Sequence, residues 1–235
     1  MSQHALRHLV VGVDFGPASA LAVHIAAKFV EAFGGRLTVL HAETVDVPPY
    51  FTRDQLDVVE REVRTARRQA VEAVRQFAAP HAPPGFDVRV TESPPVESLL
   101  DPALDADLLA VGTHGRRGPA RWWLGSVAER VVRGATVPVL VVHETRRDWR
   151  RDGPVLLLGG QSAPSAARQW AEDASAAFSS VPLELGPSPD RCHTAASNAL
   201  LVVVPVAGAE GTRTIHEGII ALGRTCSSPL LFVPE

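Results

Sequence analysis

Val111-Gly112-Thr113-His114-Gly115 closes an apolar run, Leu108-Leu109-Ala110-Val111, and opens a loop that returns at Gly125-Ser126-Val127. The order is strand, glycine loop, helix. Gly112 and Gly115 permit positive φ and close approach of a ligand to the backbone. Gly125-Ser126 sets free backbone N–H groups at a helix N-terminus, which carries about half a positive charge and suits phosphate. His114, Arg116, Arg117 and Arg121 make the loop basic. Together these features predict a nucleotide-phosphate cradle. A ligand-free alternative uses the same residues: Ser126 and Glu129 match a capping box, and glycines after a strand serve as turn residues.

The residues before the loop follow a strand-helix-strand order. Leu9-Val10-Val11-Gly12-Val13 reads as a strand buried on both faces and ends in the turn Asp14-Phe15-Gly16-Pro17. A helix follows with Ser19 as its expected N-cap, and Gly34-Gly35 stops it. Leu37 to His41 is the second strand, and a long amphipathic helix runs from about Asp54 to Ala79. That helix carries Arg61, Arg64, Arg68 and Arg75 interleaved with Glu60 and Glu72, the pattern of a solvated face. Val88-Arg89-Val90, Leu108 to Val111 and Pro138 to Val142 supply three further strands, so the chain predicts a doubly wound, mainly parallel five-stranded α/β sheet. Asp14 falls at the carboxyl end of the first strand, where open α/β sheets bind ligands. A turn-forming role for the same aspartate stands beside that reading.

Gly112-x2-Gly115-x9-Gly125-Ser126, preceded by Asp107-Leu108-Leu109 and followed by Val127 to Val132 and Pro138 to Val142, resembles the nucleotide-binding branch of the universal stress protein family. The resemblance covers residues 8–144. It implies a Rossmann-like fold in which Val13, Asp14 and the backbone of Ala42 lie against the adenosine part. The phosphates would rest on Val111, Gly112, His114 and Gly115 and on the amides of Gly125, Ser126 and Val127. It implies ATP as ligand, with AMP or ADP as alternatives and Mg as the accompanying ion. One departure stands out: the family usually has Asp-x-Ser where this chain has Asp14-Phe15-Gly16.

Composition narrows the function classes. A formal net charge of −3 gives no overall field to attract nucleic acid. No stretch approaches the roughly 18 apolar residues of a membrane helix, and Met1 to His8 lacks a signal-peptide pattern. The expected location is therefore the cytoplasm. Cys192 and Cys226 cannot alone form a tetrahedral zinc site, and no metal centre is expected.

From Pro154 the signals repeat in shortened form. Val155 to Leu158 with Gly159-Gly160 mirrors the first strand and its turn, Ser165 to Phe178 the first helix, Val181 to Leu185 the second strand and Leu200 to Val206 the fourth. Arg224-x4-Pro229 to Val233 mirrors Arg133-x4-Pro138 to Val142. The expected organisation is a nucleotide-binding domain over 1–144, a charged linker over 145–153, and a degenerate second domain over 154–235. In that copy Gly159-Gly160-Gln161 replaces the aspartate turn, and Gly208-Ala209-Glu210-Gly211 puts an acid where phosphate would sit. One nucleotide site per chain follows. Relatives of the family pair through their last strand, so Pro229 to Val233 is expected to cover the edge of Val137 to Val142 and make an internal pseudo-dimer. Association of two such chains into a homodimer is open in addition.

The leading function is an adenine-nucleotide-binding, regulatory stress-response protein. A slow ATPase is the first alternative: His114 is the one nearby base, and no lysine follows the glycines as in a P-loop. The second is a partner-binding protein with an empty cleft.

Overall fold

The structure is a computed structural model that describes residues 6–43, 53–113, 124–143, 149, 152–179, 183–186, 193–211 and 213–235, with the side chains of 53–61, 183–185, 193 and 225 left out. Apolar, β-branched runs form β1 (His8–Gly12), β2 (Arg36–Ala42), β3 (Asp87–Thr91), β4 (Leu108–Gly112) and β5 (Val139–Val142). They lie in the order β3-β2-β1-β4-β5, all parallel. The crossovers carry α1 (Pro17–Phe33), α2 (Arg53–Ala78), α3 (Pro95–Leu99) and α4 (Ser126–Gly134).

The rest of the chain repeats this plan, without counterparts of α2 and β3 among the described residues. It comprises β6 (Val155–Leu157), α5 (Ser165–Ala177), β7 (Leu183–Leu185), α6 (His193–Ser197), β8 (Leu201–Val206), α7 (Glu217–Thr225) and β9 (Leu230–Pro234). Its strands run parallel in the order β9-β8-β6-β7. β9 pairs antiparallel with β5, with Leu140 opposite Leu231, Val139 opposite Phe232 and Val141 opposite Leu230. The two halves therefore share a nine-stranded sheet.

Both faces of the sheet are covered, which is why its strands read as unbroken apolar runs. Leu9, Val11 and Leu37 pack with Phe29 of α1 on one face, continuous with Leu157, Trp170 and Leu231. Val10, Leu109 and Val111 pack with Val131 of α4 on the other, continuous with Leu156, Val204 and Phe232. Each apolar layer thus crosses the β5–β9 seam without a break.

Some local expectations change. α1 starts two residues before Ser19: Gly16 is its N-cap and Pro17 its first residue, a position where proline's fixed φ and missing N–H fit a helix. Gly134 makes room for α3's end, since a Cβ there would lie 2.6 Å from Leu100 Cδ1. Most of the charged stretch 145–153 lies outside the described residues. Trp149 within it is anchored: its indole N–H donates to the Leu200 carbonyl at 2.8 Å, and its ring meets Phe178 edge-on at 6.0 Å.

Candidate functional site

The chain winds outward from β1 to β2 and β3, then returns to β4 on the other side of β1. Strand order therefore reverses between β1 and β4, and a crevice opens outside their carboxyl ends at such a switch point. Register aligns that edge, with Gly12 beside Leu40 and Val111, and Val111 beside Val141. Val13, Asp14, His41, Ala42, Gly112 and Thr113 follow directly.

Val13 is buried and extends the ladder, its N–H donating to Leu40 at 2.9 Å. Its carbonyl accepts from His41 Nδ1 at 2.8 Å. Asp14 is partly exposed, and its Oδ1 accepts from the Gly16 N–H at 3.0 Å and the Ser19 hydroxyl at 2.7 Å. The turn-forming role predicted for Asp14 is thus real, since these bonds shape the entry to α1. Ser19, the expected N-cap, lies inside α1 instead, buried, with its hydroxyl committed to Asp14. Phe15 takes a left-handed backbone (φ 62°), and its ring packs against His41 at 4.7 Å and Phe77 at 5.3 Å. The sequence carries one signal of these contacts, an aromatic residue inside an aspartate-glycine turn. Ala42 ends β2, partly exposed, beside Thr91.

Gly112 does not take the positive φ expected of it. A Cβ at this position would lie 2.9 Å from the Ala18 carbonyl carbon and the Ser19 nitrogen, so glycine here serves the close approach of β4 to the first turn of α1. Val111 is buried in the core layer beneath α4. Thr113 donates its N–H to Val142 at 2.8 Å, and its carbonyl accepts the Gly125 N–H at 2.6 Å. That bond ties the two ends of the loop together. Leu124, 4% exposed, anchors the return. His114, Gly115, Arg116, Arg117, Arg121, Trp122 and Trp123 lie outside the described residues.

α4 begins with Gly125 as N-cap and Ser126 as its first residue, with no side-chain cap. The expected capping box does not form: Ser126 is not the N-cap, and Glu129 instead accepts from Arg133 at 2.9 Å. Ser126 is exposed and Val127 partly so. The first amides of a helix lack intrahelical partners, and here they stand at the carboxyl edge of the sheet.

In the second half, β6 ends in Gly159-Gly160-Gln161, with no acid. The loop after β8 folds back on α4, where Gly211 donates to the Arg133 carbonyl at 2.9 Å. A cleft of about 290 Å³ lies elsewhere, lined by Leu6, Asp107, Pro138, Trp170 and Pro234 at the amino ends of β1, β4 and β5. No group of three or more His, Cys, Asp or Glu suited to a metal ion occurs among the described residues. No described helix is long and apolar enough to cross a membrane.

The chain is similar to a universal stress protein of Mycobacterium tuberculosis, 32% identical over 177 residues, which cover 70% of this chain and 58% of that one. A Mycolicibacterium smegmatis universal stress protein is 32% identical over 137 residues, covering 57% and 45%. The chain thus spans about half the length of the curated relatives it matches. Among solved structures, a universal stress protein from Archaeoglobus fulgidus shares the fold over 97% of this chain and 98% of its own, with a TM-score of 0.65 at 14% identity. Another universal stress protein, solved in complex with cAMP, is 27% identical over 59% of this chain and 98% of its own, with a TM-score of 0.42. The model of the Universal stress protein family matches residues 5–143. With the aspartate turn, the glycine loop and more than half of its length inside that match, the chain belongs to the universal stress protein family.

Proposed function

We propose that the chain binds an adenine nucleotide in the crevice outside β1 and β4 and acts as a regulatory, nucleotide-responsive protein. The observation that carries this reading is the amino end of α4: a helix start with no side-chain cap, at the sheet's switch point, beside the Asp14 turn. The base and ribose are assigned to Val13, Asp14 and Ala42. The phosphates are assigned to Val111, Gly112, His114 and Gly115 and to the start of α4 at Gly125, Ser126 and Val127. Because the Gly125 N–H is held by the Thr113 carbonyl, the contribution of α4 falls to the amides of Ser126 and Val127. ATP is the proposed ligand, with AMP or ADP as alternatives and Mg accompanying the phosphates.

One site per chain is proposed, within 1–144. Residues 145–153 connect it to a shortened copy over 154–235 that carries no nucleotide. The antiparallel β5–β9 pairing supports reading the chain as an internal pseudo-dimer.

One helix-terminus interaction contributes about 0.3–2 kcal/mol, whereas micromolar binding requires about 8 kcal/mol. Several amides and the adenosine contacts must therefore act together. Native mass spectrometry and calorimetric titration with ATP test the reading. One equivalent bound per chain is expected. No uptake, or two equal sites per chain, overturns it.

A further inference from the structure

The last turn of α4 is held by the second half of the chain. Gly208 to Gly211 follow β8 as the glycine loop follows β4, and Gly211 and Arg213 reach the carbonyl end of α4. Gly211 donates its N–H to the Arg133 carbonyl at 2.9 Å. Arg213 donates through Nη1 to the carbonyl of Ala135, the helix's C-cap. Arg133 returns the contact, its Nη1 donating to the Arg213 carbonyl at 2.7 Å while Nε and Nη2 hold Glu129.

Arg213 is only 5% exposed. No carboxylate among the described residues forms an ion pair with it, and its Nε lacks a hydrogen-bond partner there. A buried guanidinium needs compensation. Here the negative, carbonyl end of α4 supplies it. The positive end of the same helix is the start at Gly125. A cation seated at one end of a helix and an anion at the other favour the same ordered helix, so their binding is linked.

We infer that Arg213 is a positioning residue for the nucleotide: the second half orders α4 from its carboxyl end and thereby sets the affinity at its amino end. The inference rests on the nucleotide reading above. It assigns the degenerate copy a role in that site's regulation without a ligand of its own. Coupling between two sites is reciprocal, and this supplies the test.

Calorimetry on the full chain compares ATP binding by wild type, Arg213→Ala and Arg213→Lys. The alanine variant is expected to bind roughly tenfold more weakly, within the range typical of coupled sites, and lysine to recover part of the loss. Should Arg213→Ala fail to fold, Arg133→Met removes only the bonds of the Arg133 guanidinium and is expected to shift affinity in the same direction by less. Hydrogen exchange on wild type and Arg213→Ala reads the reverse coupling. ATP should slow exchange of the Gly211 amide, and by more in wild type than in Arg213→Ala, a difference that overall stabilisation by the ligand would not cause. A folded Arg213→Ala chain with unchanged ATP affinity, or a Gly211 amide indifferent to ATP, overturns the inference while leaving the nucleotide site standing. Wild type that takes up no ATP overturns both, and that outcome is separately legible.

Discussion

Gly112 and Ala18 approach so closely that a side chain on the glycine would meet the Ala18 carbonyl carbon at 2.9 Å. That carbon belongs to backbone in the first turn of α1 and cannot swing aside. Gly112→Ala is therefore expected to cost about 1–3 kcal/mol, the usual effect of overpacking a filled interior. It should also separate Asp14 from the start of the glycine loop, weakening ATP binding. Thermal melting and titration on the same variant check both effects.

Ser126 allows fold and ligand to be told apart. A carboxylate in the first turn of a helix stabilises it by about 0.3–1 kcal/mol. The same charge repels phosphate. Ser126→Asp is expected to hold or raise the melting temperature while lowering ATP affinity at least tenfold. If both measurements rise, phosphate does not sit at α4.

His8 links stability to pH. Burial pushes its pKa down from 6.5; the Asp105 carbonyl pulls it back, and nearby Arg36 adds to the lowering. Its Nε2 lies 2.8 Å from the Thr38 hydroxyl. The unfolded chain thus takes up the proton first, so the contribution is complete above pH 6.5 and is lost as pH falls through the folded value. Melting temperature should drop on acidification below that point. In His8→Gln that part of the slope should disappear.

Asp107 acts in the acid range. Burial raises its pKa, yet the Arg7 side chain and the backbone N–H groups of His8 and Arg7 outweigh that and leave it below 3.8. Its contribution is present above the unfolded value and is lost as pH falls through the folded one. Asp107→Asn should flatten the melting profile in that acid range, a change separable from the His8 effect.

The seam between the halves invites truncation. β5 is fully buried because β9 and the apolar layers of the second half lie against it. A chain ended after Asp152 exposes that edge, and unpaired apolar edges associate. Analytical ultracentrifugation should show dimers or larger species; a stable monomer would contradict this account.

Much of the plan was legible because buried parallel strands leave continuous apolar runs such as Leu108 to Val111, and glycines mark where they end. The repeat was legible from Arg133-x4-Pro138 and Arg224-x4-Pro229. Distances across the fold were not. Gly112 reads as a ligand glycine, and spacing cannot report that α1 also packs against it. Ser126 looked like a cap because Ser-x-x-Glu is a local pattern, whereas Glu129 is engaged by Arg133 within the helix. Arg213 was invisible as a contact to α4, since 78 residues separate it from Ala135. Ser19 was read for its position at a helix start, and only the folded turn brings its hydroxyl to Asp14.

Because β5 and β9 join the halves through paired backbone, and both apolar layers continue across that junction, neither half owns a complete interior. Melting should then be a single cooperative event, with calorimetric and van't Hoff enthalpies agreeing. A nucleotide gripped at one end of the molecule would raise the midpoint for every strand, including those farthest from it.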